Sequence, residues 1–414
     1  MTPDALARAA WSRLTEPGDV VAGALVASLG ADEALGWLRD ARATLAAGGT
    51  VAPEGSGDAG RRLGAAAARW VTRLGSCDPR RDLDHLARLG GILLVPGDPG
   101  WPAGLADLGP AAPACLWVRG TAGLGGLTGG GVALIGARAC TPYGEHVTGE
   151  LASGLADAGR TVVSGGAYGI DAVAHRVALA SGGRTVAFLA GGVDRPYPAG
   201  NARLLAAIAD GGGACVSEVP PGSVPSRTRF LQRNRLIAAA ACATVVVEAA
   251  WRSGALSTAG HAAGLLRPVG AVPGPVTSAA SAGCHRLLRE GAAVCVTDVG
   301  EVLELVDAPG APAPTAPAGR AHRDADDRPD LGGLDDAARR TFDALPARGA
   351  TTVDALVRVA GLPLAEVAAA LGALELAGLA GHGSGRWRRI RPAPEPGPTR
   401  ANRTPAGPEA PGSG

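Results

Sequence analysis

Apolar residues recur at helical spacing over 5–14, 19–29 and 32–47, each set lying on one helix face. Glu16-Pro17-Gly18 breaks the first pair and Gly30 ends the second, so residues 1–75 are expected to form an N-terminal helical bundle, of helix-hairpin-helix or SAM-like type. From about residue 84 the pattern changes. Short β-rich runs at 92–95, 132–135, 161–163, 185–189, 214–217, 244–247, 268–271 and 293–296 alternate with Ala-rich helical stretches. That alternation predicts an α/β domain over 84–306, an extended Rossmann-like parallel sheet covered on both faces. Right-handed crossovers would gather the strand C-terminal ends, and the loops leaving them, on one edge. Residues 307–330 are Ala/Pro-rich and then charged, which predicts a linker. Helical patterns at 334–345, 351–359 and 363–377, followed by Gly- and Arg-rich sequence, predict a C-terminal winged helix over 331–391. The Pro/Gly-rich stretch 392–414 is expected to be a disordered tail.

With 414 residues, 46% of them hydrophobic and 3% aromatic, the chain can build a large interior, but mainly from Ala, Val and Leu. The net charge of +1 provides no global field, so any site for a polyanion must come from local clustering. Every one of the 39 basic residues is Arg. The seven cysteines are scattered and never spaced C-x-x-C, which argues against a disulfide framework and a structural zinc site. No cofactor or metal is expected. The N-terminus lacks the pattern of a signal peptide, and no stretch of about 20 apolar residues could span a bilayer. A cytoplasmic protein without a membrane partner is expected.

Candidate chemistry falls on loops at strand ends. After 132–135 runs Gly136-Ala137-Arg138-Ala139-Cys140-Thr141-Pro142. Thr141 is a good N-cap and Pro142 suits the first helical position, so free N–H groups beside Arg138 could hold a phosphate. A plain tight turn fits equally well. Ser164-Gly165-Gly166-Ala167-Tyr168-Gly169-Ile170-Asp171 offers glycines that let a phosphate or sugar approach the backbone. His175, one turn beyond Asp171, is expected to pair with it and order the loop rather than catalyse. The 191–201 loop ends at Asn201, and Asn201 and Arg203 add donors to the same edge. Arg227, Arg229, Arg233 and Arg235 lie within nine residues with no acid among them, and Phe230 and Asn234 sit inside the cluster. Guanidinium groups pair with phosphates and a ring stacks on a base, so the cluster suits a single strand. The competing reading is a solvated helix face with Phe230 in the core. Glu248 ends the strand at 244–247, and Ser253 or Gly254 caps the helix after Arg252. A buried Glu248 could anchor that loop through its amides.

Taken in order, these segments resemble the bacterial DNA-processing family DprA, also called Smf. The matching motifs are Gly136-Ala137-Arg138, 164–171 with Ala174-His175, Tyr197-Pro198-Ala199-Gly200-Asn201 and Ser217-Glu218-Val219-Pro220-Pro221-Gly222. They continue through 230–238, 245–249, 253–258 and Val272-Pro273-Gly274, and 374–391 resembles the family's winged helix. Ala137 replaces a small hydroxyl residue, Tyr168 stands where Arg is common, and Ala255 replaces a Ser. The resemblance implies a homodimer that binds and protects single-stranded DNA and loads RecA in transformation or recombination. It also implies DNA contacts from Arg138, from the 230–235 stretch and from the 164–169 loop, and no enzymatic activity. An alternative is a nucleotide phosphoribohydrolase of the LOG type on a related sheet, with Glu248 or Glu218 as poorly matched acids. A dinucleotide oxidoreductase would need G-x-G-x-x-G, which the Gly136 turn lacks. A third reading gives DNA binding to the winged helix through Arg386, Arg388, Arg389 and Arg391.

Overall fold

The computed structural model describes residues 2–51, 57–121, 123–307, 335–346, 350–383 and 385–390. The expected linker, apart from Asp307, and the expected tail lie outside them. The chain divides into two compact units, Met1–Ala318 and Gly319–Gly414.

Five helices open the first unit: α1 (Pro3–Leu14), α2 (Val20–Leu29), α3 (Ala31–Ala46), α4 (Gly57–Leu74) and α5 (Pro79–Arg88). Their starts are written locally, since Thr2, Asp19 and Asp78 cap α1, α2 and α5 with side-chain oxygens. Trp11 and Trp70 meet edge to face at 5.3 Å in the core of this bundle. Then follow β1 (Gly91–Leu94), β2 (Leu116–Gly120), α6 (Leu124–Thr128), β3 (Val132–Gly136), α7 (Pro142–Asp157), β4 (Val162–Ser164), α8 (Ile170–Ala180) and β5 (Thr185–Leu189). The unit continues with α9 (Ala202–Asp210), β6 (Ala214–Ser217), α10 (Arg227–Ala240), β7 (Ala243–Glu248), α11 (Gly254–Gly264), β8 (Val269–Ala271), α12 (Ala282–Arg289), β9 (Val294–Cys295) and α13 (Val299–Asp307).

The strands form one sheet in the order β1-β2-β6-β5-β4-β3-β7-β8-β9. From β6 to β9 all neighbours are parallel, whereas β2 runs antiparallel to β6 and β1 to β2. Fully buried runs such as β5 and β7 carry apolar residues on both faces, as central parallel strands must. One face packs Leu134, Val162 and Val245 against α7, α8 and α13. The other packs Ile135, Phe188 and Val246 against α10, α11 and α12.

β2 and α5 are among the elements that escaped the sequence pattern. β2 is a short apolar run without alternation, which periodicity does not separate from its surroundings. It makes the sheet mixed at one side instead of wholly parallel. α5 has only Leu83 and Leu86 as apolar anchors in a charged segment. The N-terminal helices are part of the sheet-bearing unit. Ala9, Leu83 and Leu86 pack on Cys115 and Trp117, the Trp117 indole donates to Ser12 Oγ at 3.2 Å, and Arg13 Nε donates to Asp82 at 2.8 Å.

The second unit contains α14 (Asp336–Ala344), α15 (Val353–Ala360), α16 (Leu364–Leu376) and an antiparallel pair, β10 (Ala380–Gly383) and β11 (Arg386–Arg389). Thr351 bridges to Trp387, and Phe342, Leu356, Val367, Leu371 and Leu374 form the core. These are the three helices and hairpin expected of a winged helix. Among the described residues no single helix is long and apolar enough to cross a membrane.

Candidate nucleic-acid interface

Chain order reverses between β3 and β7. The chain runs outward from β3 through β4 and β5 to β6, then returns to lay β7 on the other side of β3. Open α/β sheets have their crevice at such a switch point, outside the strand C-terminal ends. Here the turn after β3 and the loop after β7 line a cleft of about 480 Å³, with Gly136, Arg138, Ala250, Arg252, Ser253 and Gly254 on its walls and Phe230 of α10 at its mouth. A second hollow of about 640 Å³ shares Arg138, Phe230, Arg252 and Ser253 and adds Tyr197 and Arg227, so the two form one trough.

Arg138, Arg227 and Arg252 are exposed and make no ion pair with any of the described residues. The Arg138 guanidinium lies 4.9 Å from the centre of the Phe230 ring, and Tyr197 meets that ring at 5.5 Å, tilted by 58°. Phe230 belongs to none of the apolar cores and is half-buried. Its ring is therefore a surface feature surrounded by cations, which disfavours the core reading. Ser226 caps α10 and Ser253 caps α11, through the amides of Arg229 and Ala255, so two helix N-termini open on the trough.

The rest of the arginine cluster turns inward. Arg235 is buried and donates to both carboxylate oxygens of Glu218, at 2.9 and 2.7 Å. Arg229 donates to Glu16, in the loop between α1 and α2, at 2.9 and 3.2 Å. Burial works to raise the Glu16 carboxyl, but the bonds and charge of Arg229, with Arg73, outweigh it and hold the group below the usual carboxylate range. Arg233 is buried and donates to the carbonyls of Gly165 and Phe188. Burial pushes its guanidinium down to about 10, against the pull of Asp171. Asn234 donates to the Gly254 carbonyl at 3.3 Å. Expected as DNA contacts, these four residues tie α10 to the loops after β4 and β6, to β5, to the start of α11 and to the N-terminal helices, while Arg233 and Asn234 also line the cleft. The acids that pair with Arg229 and Arg235 are distant in sequence, so local composition made them look free.

The glycine loop after β4 also serves the fold. A Cβ on Gly165 would lie 2.4 Å from the Arg233 guanidinium, and one on Gly169, at φ +74°, would lie 2.1 Å from the Ala137 carbonyl oxygen. Gly166 takes φ +69°. Ser164 is buried and donates to the Leu134 carbonyl at 2.6 Å, and Asn201 donates to the carbonyls of Gly166 and Ala167 at 3.0 and 3.1 Å. The glycines thus permit close chain packing, and Ser164 and Asn201 face inward. Arg203 is exposed but does not line the trough.

Three structural assignments shift their partners. Asp171 accepts from the amides of Gly165 and Ala167 at 3.2 and 3.3 Å, and burial raises its carboxyl although Arg233 opposes this. His175 does not meet Asp171. Its Nδ1 lies 2.6 Å from Thr185 Oγ1, and burial pushes the imidazole down to about 3, so it is neutral at ordinary pH. Glu248 does not anchor the loop of Ser253. It accepts from the Thr141 amide at 2.9 Å and from the Thr141 hydroxyl at 2.5 Å, at the start of α7. A carboxylate of the protein therefore occupies the helix N-terminus that sequence offered to a phosphate. Conversely, Arg252, Tyr197 and Leu231 line the trough although none was singled out as a contact. The signal for Arg252 was its place just before a helix cap at a strand end.

In the second unit Arg386 and Arg388 are exposed on β11, while Arg389 donates to the Phe342 carbonyl and lies 4.2 Å from the Phe342 ring centre. Arg391 lies outside the described residues.

Comparison with known proteins fits this arrangement. Residues 92–307 match the family described as DNA recombination-mediator protein A, and residues 311–386 match the DprA winged helix domain. The chain is 45% identical over 399 residues to a putative DNA processing protein DprA of Mycobacterium tuberculosis, covering 94% of this chain and 95% of that one. The chain belongs to the DprA/Smf family. Protein Smf of Escherichia coli is 38% identical over 283 residues, covering 68% of this chain and 73% of that one. An X-ray structure of DprA from Streptococcus pneumoniae superposes with a TM-score of 0.57 at 29% identity, over 73% of this chain and 97% of the other. Membership of DprA/Smf places the chain in DNA processing and recombination mediation, and makes its second unit a DprA-type winged helix.

Proposed function

We propose that this DprA/Smf protein holds single-stranded DNA in the trough between the β3 and β7 loops, shields it, and passes it to RecA as a homodimer without altering it chemically. The observation that carries the DNA reading is the half-buried Phe230 ring, flanked by Arg138 and Tyr197 and bordered by the exposed Arg227 and Arg252. Bases in a duplex are stacked on their neighbours, whereas a single strand can lay a base on such a ring while its phosphates meet guanidinium groups. RecA transfer and dimerisation draw their support from family membership.

A hydrolytic role is disfavoured by what the acids do. Glu248 is engaged by Thr141 and Glu218 by Arg235. Among the described residues no His, Cys or Glu lines the trough, and its Asp171 is held by two backbone amides. Competition between labelled oligo-dT and unlabelled competitors, followed by fluorescence anisotropy on the full chain, tests the proposal. Single-stranded competitor should displace the probe at about 5-fold lower concentration or less than duplex of the same length, the worth of one stacked base. Equal displacement, or release of free base from a nucleoside monophosphate, would overturn it.

A further inference from the structure

Trp251 stands apart from the other aromatic residues. Of the seven tryptophans it alone is exposed, at 59%, while Trp11, Trp70 and Trp117 are fully buried. It sits in the loop between β7 and α11, whose next residues Arg252, Ser253 and Gly254 line the trough. That loop is pinned from outside the trough, because the Gly283 amide at the start of α12 donates to the Ala249 carbonyl at 2.7 Å. Arg286 of α12 places its guanidinium 5.2 Å from the indole centre, donates weakly to the Trp251 carbonyl at 3.5 Å, and leaves its Nε without a hydrogen bond. Among the described residues the acid that approaches Arg286 is Glu290, at 3.8 Å and largely exposed.

An indole held this open keeps apolar surface in water, a cost that a ligand stacking on it would relieve. Arg286 packs on the ring and adds positive charge, and exposed Arg252 is the next residue of the loop. This repeats the composition of the Phe230–Arg138 pair in a loop whose next residues line the cleft. We infer that Trp251, backed by Arg286, is a second base-stacking station that extends the single-strand path from the trough toward α12. The chemistry favours a polyanion with flat rings over an apolar protein surface, because a guanidinium backs the indole and Arg252 follows it in the loop.

The inference rests on the single-strand reading, and the test separates the two. The full chain is titrated with oligo-dT of about 20 nucleotides, longer than one stacking site requires. Trp251→Ala should lower affinity about 5-fold or more at an unchanged salt slope, and Trp251→Phe should restore most of it. Oligo-dT should also quench tryptophan emission in the wild type and much less in Trp251→Phe, since the other indoles are half-buried or buried. If the wild type binds and quenches while Trp251→Ala matches its affinity and Trp251→Phe retains the quench, the second station is wrong and the trough stands. If the wild type binds no oligo-dT, both fall. Unchanged DNA affinity with loss of self-association or of RecA binding in Trp251→Ala would make the indole a protein contact and overturn the inference.

Discussion

Arg235→Ala is expected to destabilise the sheet-bearing unit by about 3–5 kcal/mol, because it leaves the Glu218 carboxylate buried without its cation. The side chains are only 4% and 11% exposed, and the pair is bidentate, so water cannot replace the missing guanidinium cheaply. Against a usual total of about 5–15 kcal/mol for a domain, that is a large share. Urea unfolding followed by circular dichroism measures it. Arg235→Met combined with Glu218→Leu should recover most of the stability, since an apolar pair of similar volume removes the unpaired charge as well. An Arg235→Ala protein within about 1 kcal/mol of wild type that nevertheless failed to bind oligo-dT would make Arg235 a DNA contact and contradict its assignment to the interior.

Phe230→Ala carries the opposite signature. The ring lies outside every apolar core, so unfolding should change little, whereas single-strand affinity should fall by a factor corresponding to about 1–3 kcal/mol. Stacking involves no counterion release, so the dependence of affinity on salt should keep its slope. Phe230→Tyr retains a stacking face and should bind nearly as well. Loss of the circular dichroism spectrum in Phe230→Ala would place the ring in the core after all.

The contrast between these two residues, five positions apart on α10, shows how far sequence could reach. Strand–helix alternation revealed the parallel part of the sheet, the loops at its edge and the caps of α7 and α11, because each depends on neighbours in sequence. It could not reveal that Arg229 and Arg235 meet Glu16 and Glu218, because those pairs exist only once α10 has packed against the rest of the unit. The Ser164 loop misled for a related reason. Glycines needed for a ligand and glycines needed for the approach of Arg233 or the Ala137 carbonyl look alike in a string of residues. The family motif around Phe230 thus combines two tasks, a surface ring with Arg227 beside it and an inward clamp of Arg233, Asn234 and Arg235.

Under the proposed function, the same division would let a nearly neutral chain serve a polyanion. Most cations of the α10 cluster are taken up by internal partners, and the exposed Arg138, Arg227 and Arg252 supply the local field. Arg138 is the most exacting of these to test, since it touches the ring and stands beside the crevice between β3 and β7. Affinity of the full chain for labelled oligo-dT, measured across a salt series for wild type and Arg138→Ala, should give a weaker complex whose logarithmic slope is flatter by about 0.7 for each phosphate left without its guanidinium. Identical slopes and affinities, or no wild-type binding even at low ionic strength, would contradict it.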